Sequence, residues 1–111
     1  MLSIEVLQDQ NHSILLLEGE IDASNSIQLD ESIRSLADNG AQSILVDGSK
    51  LEYISSAGLG VFMSYLEDFQ ENGISLKIYS LTPRVLEVFK ILGLDQLISI
   101  FPDKTTALRE D

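Results

Sequence analysis

The sequence predicts an α/β layer structure, and three observations carry that prediction. Strand-type stretches, alternating or continuously apolar, are interleaved with stretches whose apolar residues recur at spacings of three and four. The helical stretches end on glycine stops at Asn39-Gly40, Asn72-Gly73 and Leu92-Gly93. A short apolar run, Ser43-Ile44-Leu45-Val46-Asp47, follows the first helical stretch as a buried strand would, which makes a right-handed βαβ crossover the natural connection.

Taken in order, Ile4 and Val6 alternate with Ser3 and Glu5, a period-two strand, and Ile14-Leu15-Leu16-Leu17 before Glu18-Gly19 reads as a more fully buried one. Asp9, Gln10, Asn11 and His12 between them are turn formers, so the two strands form a hairpin. Asp22, Ser24 and Ser26 offer N-cap oxygens to a helix whose apolar stripe is Leu29, Ile33, Leu36 and Ala37. After the strand at Ser43–Asp47, a second helix is expected from Ser56 to Glu71. Gly58, Leu59, Phe62, Tyr65, Leu66 and Phe69 cluster on one side of it, and Gly60, Ser64, Glu67, Asp68 and Glu71 face the other. Ile74, Leu76 and Ile78 alternate with polar neighbours as a half-covered strand. Thr82 is placed as the N-cap of a third helix, Pro83 at its first position, Val85, Leu86, Phe89 and Leu92 on its buried side and Gly93 as its stop. Leu97, Ile98 and Ile100 suggest a last short strand, and Asp103 caps a final turn or two through Ala107 and Leu108. No repeat or linker divides residues 1–111, which are expected to form one domain.

Composition excludes several functions. Lys plus Arg is 7 and Asp plus Glu is 18, so the net charge of -11 argues against nucleic acid as a partner and against anionic membrane surfaces. Residues 1–40 hold eight of the acids with Arg34 as their single base, so the acidic surplus is concentrated there. The chain has no Cys, which removes disulfides and thiolate metal sites and agrees with a cytoplasmic location. No apolar run approaches a membrane span, so no membrane insertion is expected, and with no large apolar patch evident a monomer is the default.

Enzyme readings fail for want of the groups they require. The only His, His12, falls in the expected hairpin turn and is no base for a serine nucleophile. Gly58-Leu59-Gly60 lacks the third glycine of a dinucleotide loop and the Gly-Lys-Ser/Thr of a nucleotide one. The acids are scattered one per element rather than spaced as ligands, so no metal is expected and no cofactor is implied. One segment stands out, from Leu45 through Asp47, Tyr53, Ser55 and Ser56 to Gly60. A buried strand passes into a loop that delivers two hydroxyls to a helix mouth, where unpaired N–H groups and the helix dipole favour a capping oxygen or a phosphate.

The stretch Tyr53-Ile54-Ser55-Ser56-Ala57-Gly58-Leu59-Gly60, with Gly19-Glu20-Ile21-Asp22 upstream and Leu92-Gly93-Leu94 downstream, resembles the STAS domain of bacterial anti-sigma factor antagonists over essentially the whole chain. The resemblance implies a mixed four- to five-stranded sheet with about four helices packed mainly on one face. In that family a serine in an Asp-Ser-Ser/Thr-Gly-Leu motif is phosphorylated by a partner, an anti-sigma factor with an ATPase-type serine kinase fold. By position the phosphoacceptor falls on Ser56. The family's aspartate falls on Ser55, which becomes the alternate acceptor, and its small residue and glycine fall on Ala57 and Gly58. Asp22 matches an acid beside the loop, with helix capping as the rival role, and Asp47 reads as capping loop amides. Gly60 would allow close backbone approach, and Met63 would give either a deformable partner contact or ordinary helix packing. The function implied is that of an antagonist and not an enzyme. Its unphosphorylated form binds the anti-sigma factor and frees a sigma factor, phosphorylation of Ser56 ends that binding, and a PP2C-like phosphatase restores it. The rival is a STAS module serving as a structural or regulatory subunit, for example of a transporter, without phosphorylation.

Overall fold

The computed structural model describes residues 1–109. Its first elements form a hairpin, with β1 (Leu2–Asp9) and β2 (His12–Ile21) antiparallel from Leu2 opposite Gly19 to Asp9 opposite His12. There follow α1 (Ser26–Asp38), β3 (Ser43–Ile54), α2 (Ser56–Glu71), β4 (Ser75–Tyr79), α3 (Pro83–Ile91), a 3₁₀ turn at Leu94–Gln96, β5 (Ser99–Phe101) and α4 (Lys104–Arg109). The strands lie in the order β1-β2-β3-β4-β5, and β2 to β5 are mutually parallel. Among the described residues the sheet is therefore mixed, with five strands, and four helices accompany it, as the family resemblance implies.

Each crossover from β2 to β5 steps across the sheet in the same direction, so right-handed connections put α1, α2 and α3 on one face. There Leu15, Leu17, Ile44, Val46 and Ile78 of the strands meet Leu29, Ile33, Leu59, Phe62, Phe69, Val85 and Phe89 of the helices in the main core. The alternate strand residues Ile14, Leu45 and Tyr79 point the other way and are covered by Ala107 of α4. Two polar ties hold α4 there, as Lys77 Nζ donates to the Ala107 carbonyl at 2.8 Å and Lys104 Nζ pairs with Asp9 at 2.9 Å. On the main face, the Tyr65 hydroxyl of α2 donates to Asp30 Oδ1 of α1 at 2.6 Å, and Asp30 also pairs with Arg34.

Several local expectations need correction. β3 is twelve residues long rather than ending near Asp47, because residues 48–54 stay paired to β2 through two register shifts while Leu51 and Ile54 enter the core. Asp47 is therefore inside a strand. His12 belongs to β2 and its Nδ1 lies 2.7 Å from Ser43 Oγ, so it is half-buried against β3 rather than a solvent-facing turn residue. None of Asp22, Ser24 and Ser26 caps α1. Asn25 occupies the cap position and makes no side-chain cap bond. Leu92 and Leu97 are exposed, because α3 has ended at Ile91 and the last strand begins only at Ser99.

Two tyrosines report on this packing. Burial first, then the hydrogen bond to Asp30 and its charge, push the Tyr65 hydroxyl up to about 12, and burial followed by the Asp47 carboxylate does the same to Tyr79. Both folded values lie above the ordinary value near 10, so the stabilisation is complete below pH ~10 and is lost as pH rises toward ~12. An ultraviolet titration paired with urea melts should show Tyr65 and Tyr79 ionising late, with stability falling over that window. Ionisation of both near pH 10 would contradict this packing.

Candidate functional site

The site is built by two parallel strand ends. Ile21 of β2 and Ile54 of β3 are register partners, so the residues that follow them leave the sheet at the same edge. The Ser55 N–H donates to the Ile21 carbonyl at 2.9 Å and ties one exit to the other. Ser55 is extended (φ -90°, ψ 173°), the geometry of an N-cap, and its Oγ accepts from the Gly58 N–H at 3.4 Å. Ser56 is the first helical residue. Its side chain is exposed, and among the described residues its hydroxyl has no hydrogen-bond partner. The two adjacent serines thus differ, one committed to the cap and the other free.

Gly58 explains how α2 comes so close to the strand ends. A Cβ there would sit 2.6 Å from Ile21 Cγ2 and 2.8 Å from Ile54 Cγ1, inside van der Waals contact. Gly60 is the opposite case. A Cβ there would meet nothing within 4 Å, so no close approach within the chain requires that glycine. Spacings of four, three and four put Ser56, Gly60, Met63 and Glu67 on one exposed stripe of α2, where Met63 is 41% exposed. Ala57 beside them is half-buried. The first turn of α2 carries no acid, so the positive end of its dipole is not neutralised by its own residues.

Asp22 stands at the neighbouring exit, after β2. Its Oδ1 accepts from the Ser24 N–H at 2.9 Å and the Ser24 hydroxyl at 2.6 Å, and the latter bond leads in holding its carboxyl below the usual carboxylate range. Its own N–H donates to Asn25 Oδ1 at 2.9 Å, and the Asn25 amide donates back to the Glu20 carbonyl at 3.0 Å. Asp22 is therefore charged and fixed in a turn ahead of α1. Sequence reasoning did not single out Ser24 or Asn25 for this role, although short polar residues at spacings of two and three are the usual signal of such turns. Asp47 lies apart from the other site residues. Its Oδ1 accepts from the Ser49 N–H at 2.9 Å on the face of the sheet away from α2, where Glu5, Glu18 and Lys50 line the same small cleft. A cavity of about 420 Å³ lies at the far end of the sheet, by Gln8, Asn11, Asn39 and Gln42. Among the described residues no three His, Asp or Glu side chains gather as metal ligands, and no helix is long and apolar enough to cross a membrane.

Fold and site together describe an α/β module that displays a free hydroxyl at a helix mouth on its surface. The model of the STAS domain matches residues 3–107, and the chain belongs to that family. It is 32% identical over 99 residues to the anti-sigma-B factor antagonist of Bacillus subtilis strain 168, spanning 89% of this chain and 90% of that protein. The fold is shared with an anti-sigma factor antagonist from Mycobacterium paratuberculosis at a TM-score of 0.86, with 20% identity over 98% of this chain and 92% of that one. It is also shared with the unphosphorylated form of SpoIIAA at 0.79, with 18% identity over 96% and 93%.

Two pairs of substitutions test this geometry in urea unfolding. Ser55→Ala removes the cap and should cost about 0.5–2 kcal/mol, nearer the lower end for so long a bond, whereas Ser56→Ala should stay within about 0.5 kcal/mol of wild type. Gly58→Ala should cost about 1–3 kcal/mol by crowding Ile21 and Ile54, whereas Gly60→Ala should gain about 0.5–1 kcal/mol as an open helix position. A reversed order within either pair would mean that the helix mouth is built differently.

Proposed function

We propose that this chain is an anti-sigma factor antagonist switched by phosphorylation of Ser56. Unphosphorylated, it binds an anti-sigma factor with an ATPase-type serine kinase fold and so releases a sigma factor. The partner then transfers the γ-phosphoryl group of ATP to Ser56. The Ser56 Oγ attacks the γ-phosphorus, its proton passes to a base of the partner, and ADP leaves. A PP2C-like phosphatase hydrolyses the ester and restores binding. The observation that carries this reading is the division of labour at the helix mouth, where Ser55 is engaged as the cap and Ser56 presents a free, exposed hydroxyl. The same division favours Ser56 over Ser55 as acceptor.

The physics of the site fits a release switch. A phosphate adds about -1.5 to -2 charges, and the first turn of α2 has no acid of its own to repel it. The fold should tolerate the group, while a partner packed against a small hydroxyl should not. ATP and Mg²⁺ belong to the partner's site, so this chain acts as substrate and binder rather than as an enzyme and requires no cofactor. We assign it to the cytoplasm, where such kinases meet sigma factors, and to a monomeric state outside the complex. Asp22 fixes the loop beside the acceptor, and Gly60 and Met63 contact the partner along the exposed stripe of α2.

The test is intact mass and affinity capture of tagged wild type, Ser56→Ala and Ser56→Asp from the native cell. Wild type should carry a one-phosphate increment that Ser56→Ala lacks, and should capture an identified ATPase-fold kinase. Ser56→Asp should lose that kinase at least tenfold while melting like wild type. Unmodified wild type held in a transporter or other stable assembly would replace this reading with that of a structural module, leaving Ser56 as an unmodified surface residue.

A further inference from the structure

We infer that the outer edge of β1 is a self-association surface, on which β1 of a second copy of this chain pairs antiparallel about a two-fold axis through Val6. The inference goes beyond the antagonist reading and does not depend on it. Among the described residues β1 pairs only with β2, and its other edge is open. The opposite edge of the sheet is β5, only three residues long, whereas β1 presents eight residues in unbroken register. It carries none of the devices that blunt a natural edge, having no Pro, no Lys and no bulge. Two of its apolar side chains stay out of the core, Val6 at 46% and Leu7 at 42% exposure.

Hydrogen bonds tell which backbone groups of β1 are open. Along an antiparallel strand, residues alternate between bonding to the neighbour and facing away from it. The Met1 carbonyl accepts from the Glu20 N–H at 3.1 Å, so the odd-numbered residues of β1 bond to β2. The Leu2 carbonyl instead accepts from Gln28 Nε2 of α1 at 3.2 Å, which puts the even-numbered residues on the outer edge and covers the first of them. Beyond Gln8 the chain turns at Gln10, φ 56°. The open rungs are therefore Ile4, Val6 and Gln8, a set centred on Val6. This symmetry selects a second copy as the occupant, because an isologous contact requires a surface that complements itself. With Val6 opposite Val6 of the second copy, Ile4 of each chain meets Gln8 of the other and all three rungs are joined. A shift by one rung either way joins only two, and one of those shifts sets Glu5 directly against Glu5. In the centred register Glu5 faces Leu7, and Asp9, already paired with Lys104, faces Ser3, so no like charges stand directly opposite.

One ladder of three rungs is a small contact of the weak, transient class, so the chain is monomeric when dilute and pairs when concentrated. Ser56 follows β3, away from the β1 edge, so both copies keep that hydroxyl uncovered.

The test follows the purified chain by sedimentation equilibrium from about 10 μM to about 1 mM, with amide hydrogen exchange by NMR as a second readout. The mean mass should rise toward twice that of one chain. Exchange at the Ile4, Val6 and Gln8 N–H groups should slow with concentration, while that at Ser3, Glu5 and Leu7 should not change. Val6→Pro removes only an outward N–H, which an edge strand tolerates, and should stay monomeric throughout. Should that variant fold poorly, Val6→Lys carries the test by setting two like charges opposite each other, and it too should stay monomeric. Ile91→Ser, at a position 75% exposed on α3, should associate as wild type does. A net charge of -11 on each copy opposes pairing, so added salt should strengthen it. A mass that stays that of one chain, association of the folded Val6 variants equal to wild type, equal loss in Ile91→Ser, or weakening by salt would each overturn the inference. None of these outcomes bears on the antagonist reading, which stands or falls on phosphorylation and capture of the kinase.

Discussion

The helix mouth depends on the direct seating of α2 against the ends of β2 and β3, which only a residue without a Cβ at position 58 permits. Ile21 and Ile54 fill the space an alanine methyl would need. Because Gly58 is in the first turn, the same contact fixes how α2 begins and therefore which of its early residues face the core. Leu59 and Phe62 turn inward, and Ser56 is left on the solvent side. The Ser55 N–H bonded to the Ile21 carbonyl closes the arrangement from the strand side. Packing and backbone hydrogen bonding thus place a hydroxyl on the surface without any polar residue being assigned to hold it there. A displayed group of this kind suits modification by another protein better than catalysis, which needs its reactive groups enclosed and mutually oriented.

The electrostatics have the same economy. The chain is strongly acidic, yet the first turn of α2 contains no acid. A phosphate arriving at Ser56 would meet the positive end of the helix dipole and, from the neighbouring strand exit, the charged Asp22, with the acidic surplus of α1 and α2 at longer range. The effect of the dipole falls off within a turn, and that of the acidic surplus is screened over roughly 8–10 Å at ordinary ionic strength. A helix mouth that suits an anion and a strongly acidic surface can therefore coexist on one face.

Much of this was legible in the sequence because its signals are local. Thr82, Pro83 and Gly93 delimit α3, and the side chain of Thr82 does accept from the Val85 N–H at 3.3 Å. The span of α2 could be read from Ser55-Ser56 to Asn72-Gly73 for the same reason. Long-range determinants were not legible. The second half of β3, with Gly48, Ser49 and Lys50, has the composition of a loop and becomes a strand only because β2 is there to pair with it. The cap of α1 is not a local property, because Asp22 and Asn25 bond to the turn before the helix, a choice set by the path of the chain leaving β2. The place of His12 is likewise set at long range, because its partner, Ser43, is 31 residues away.

The pair Ser55-Ser56 shows where local and long-range information meet. The sequence presents two chemically identical hydroxyls at one helix mouth and no means of ranking them beyond a family motif. The backbone separates them. An N-cap must be extended so that its side chain can fold back on the third N–H after it, and the first helical residue cannot do this because its helical backbone turns its side chain outward. Whichever serine occupies the last extended position becomes the cap, and that position is set by where β3 stops pairing with β2, at Ile54 opposite Ile21. Register between two strands thus decides which hydroxyl is spent on structure and which remains free. A one-residue slip of β3 would move the cap to Ser56 or to Ile54, so that the present division between the two serines is lost, and would turn the strand's inward and outward faces over as well. The core residues Leu51 and Ile54, 1% and 2% exposed, hold the register against that slip. The identity of the free hydroxyl is in this sense a property of the hydrophobic core.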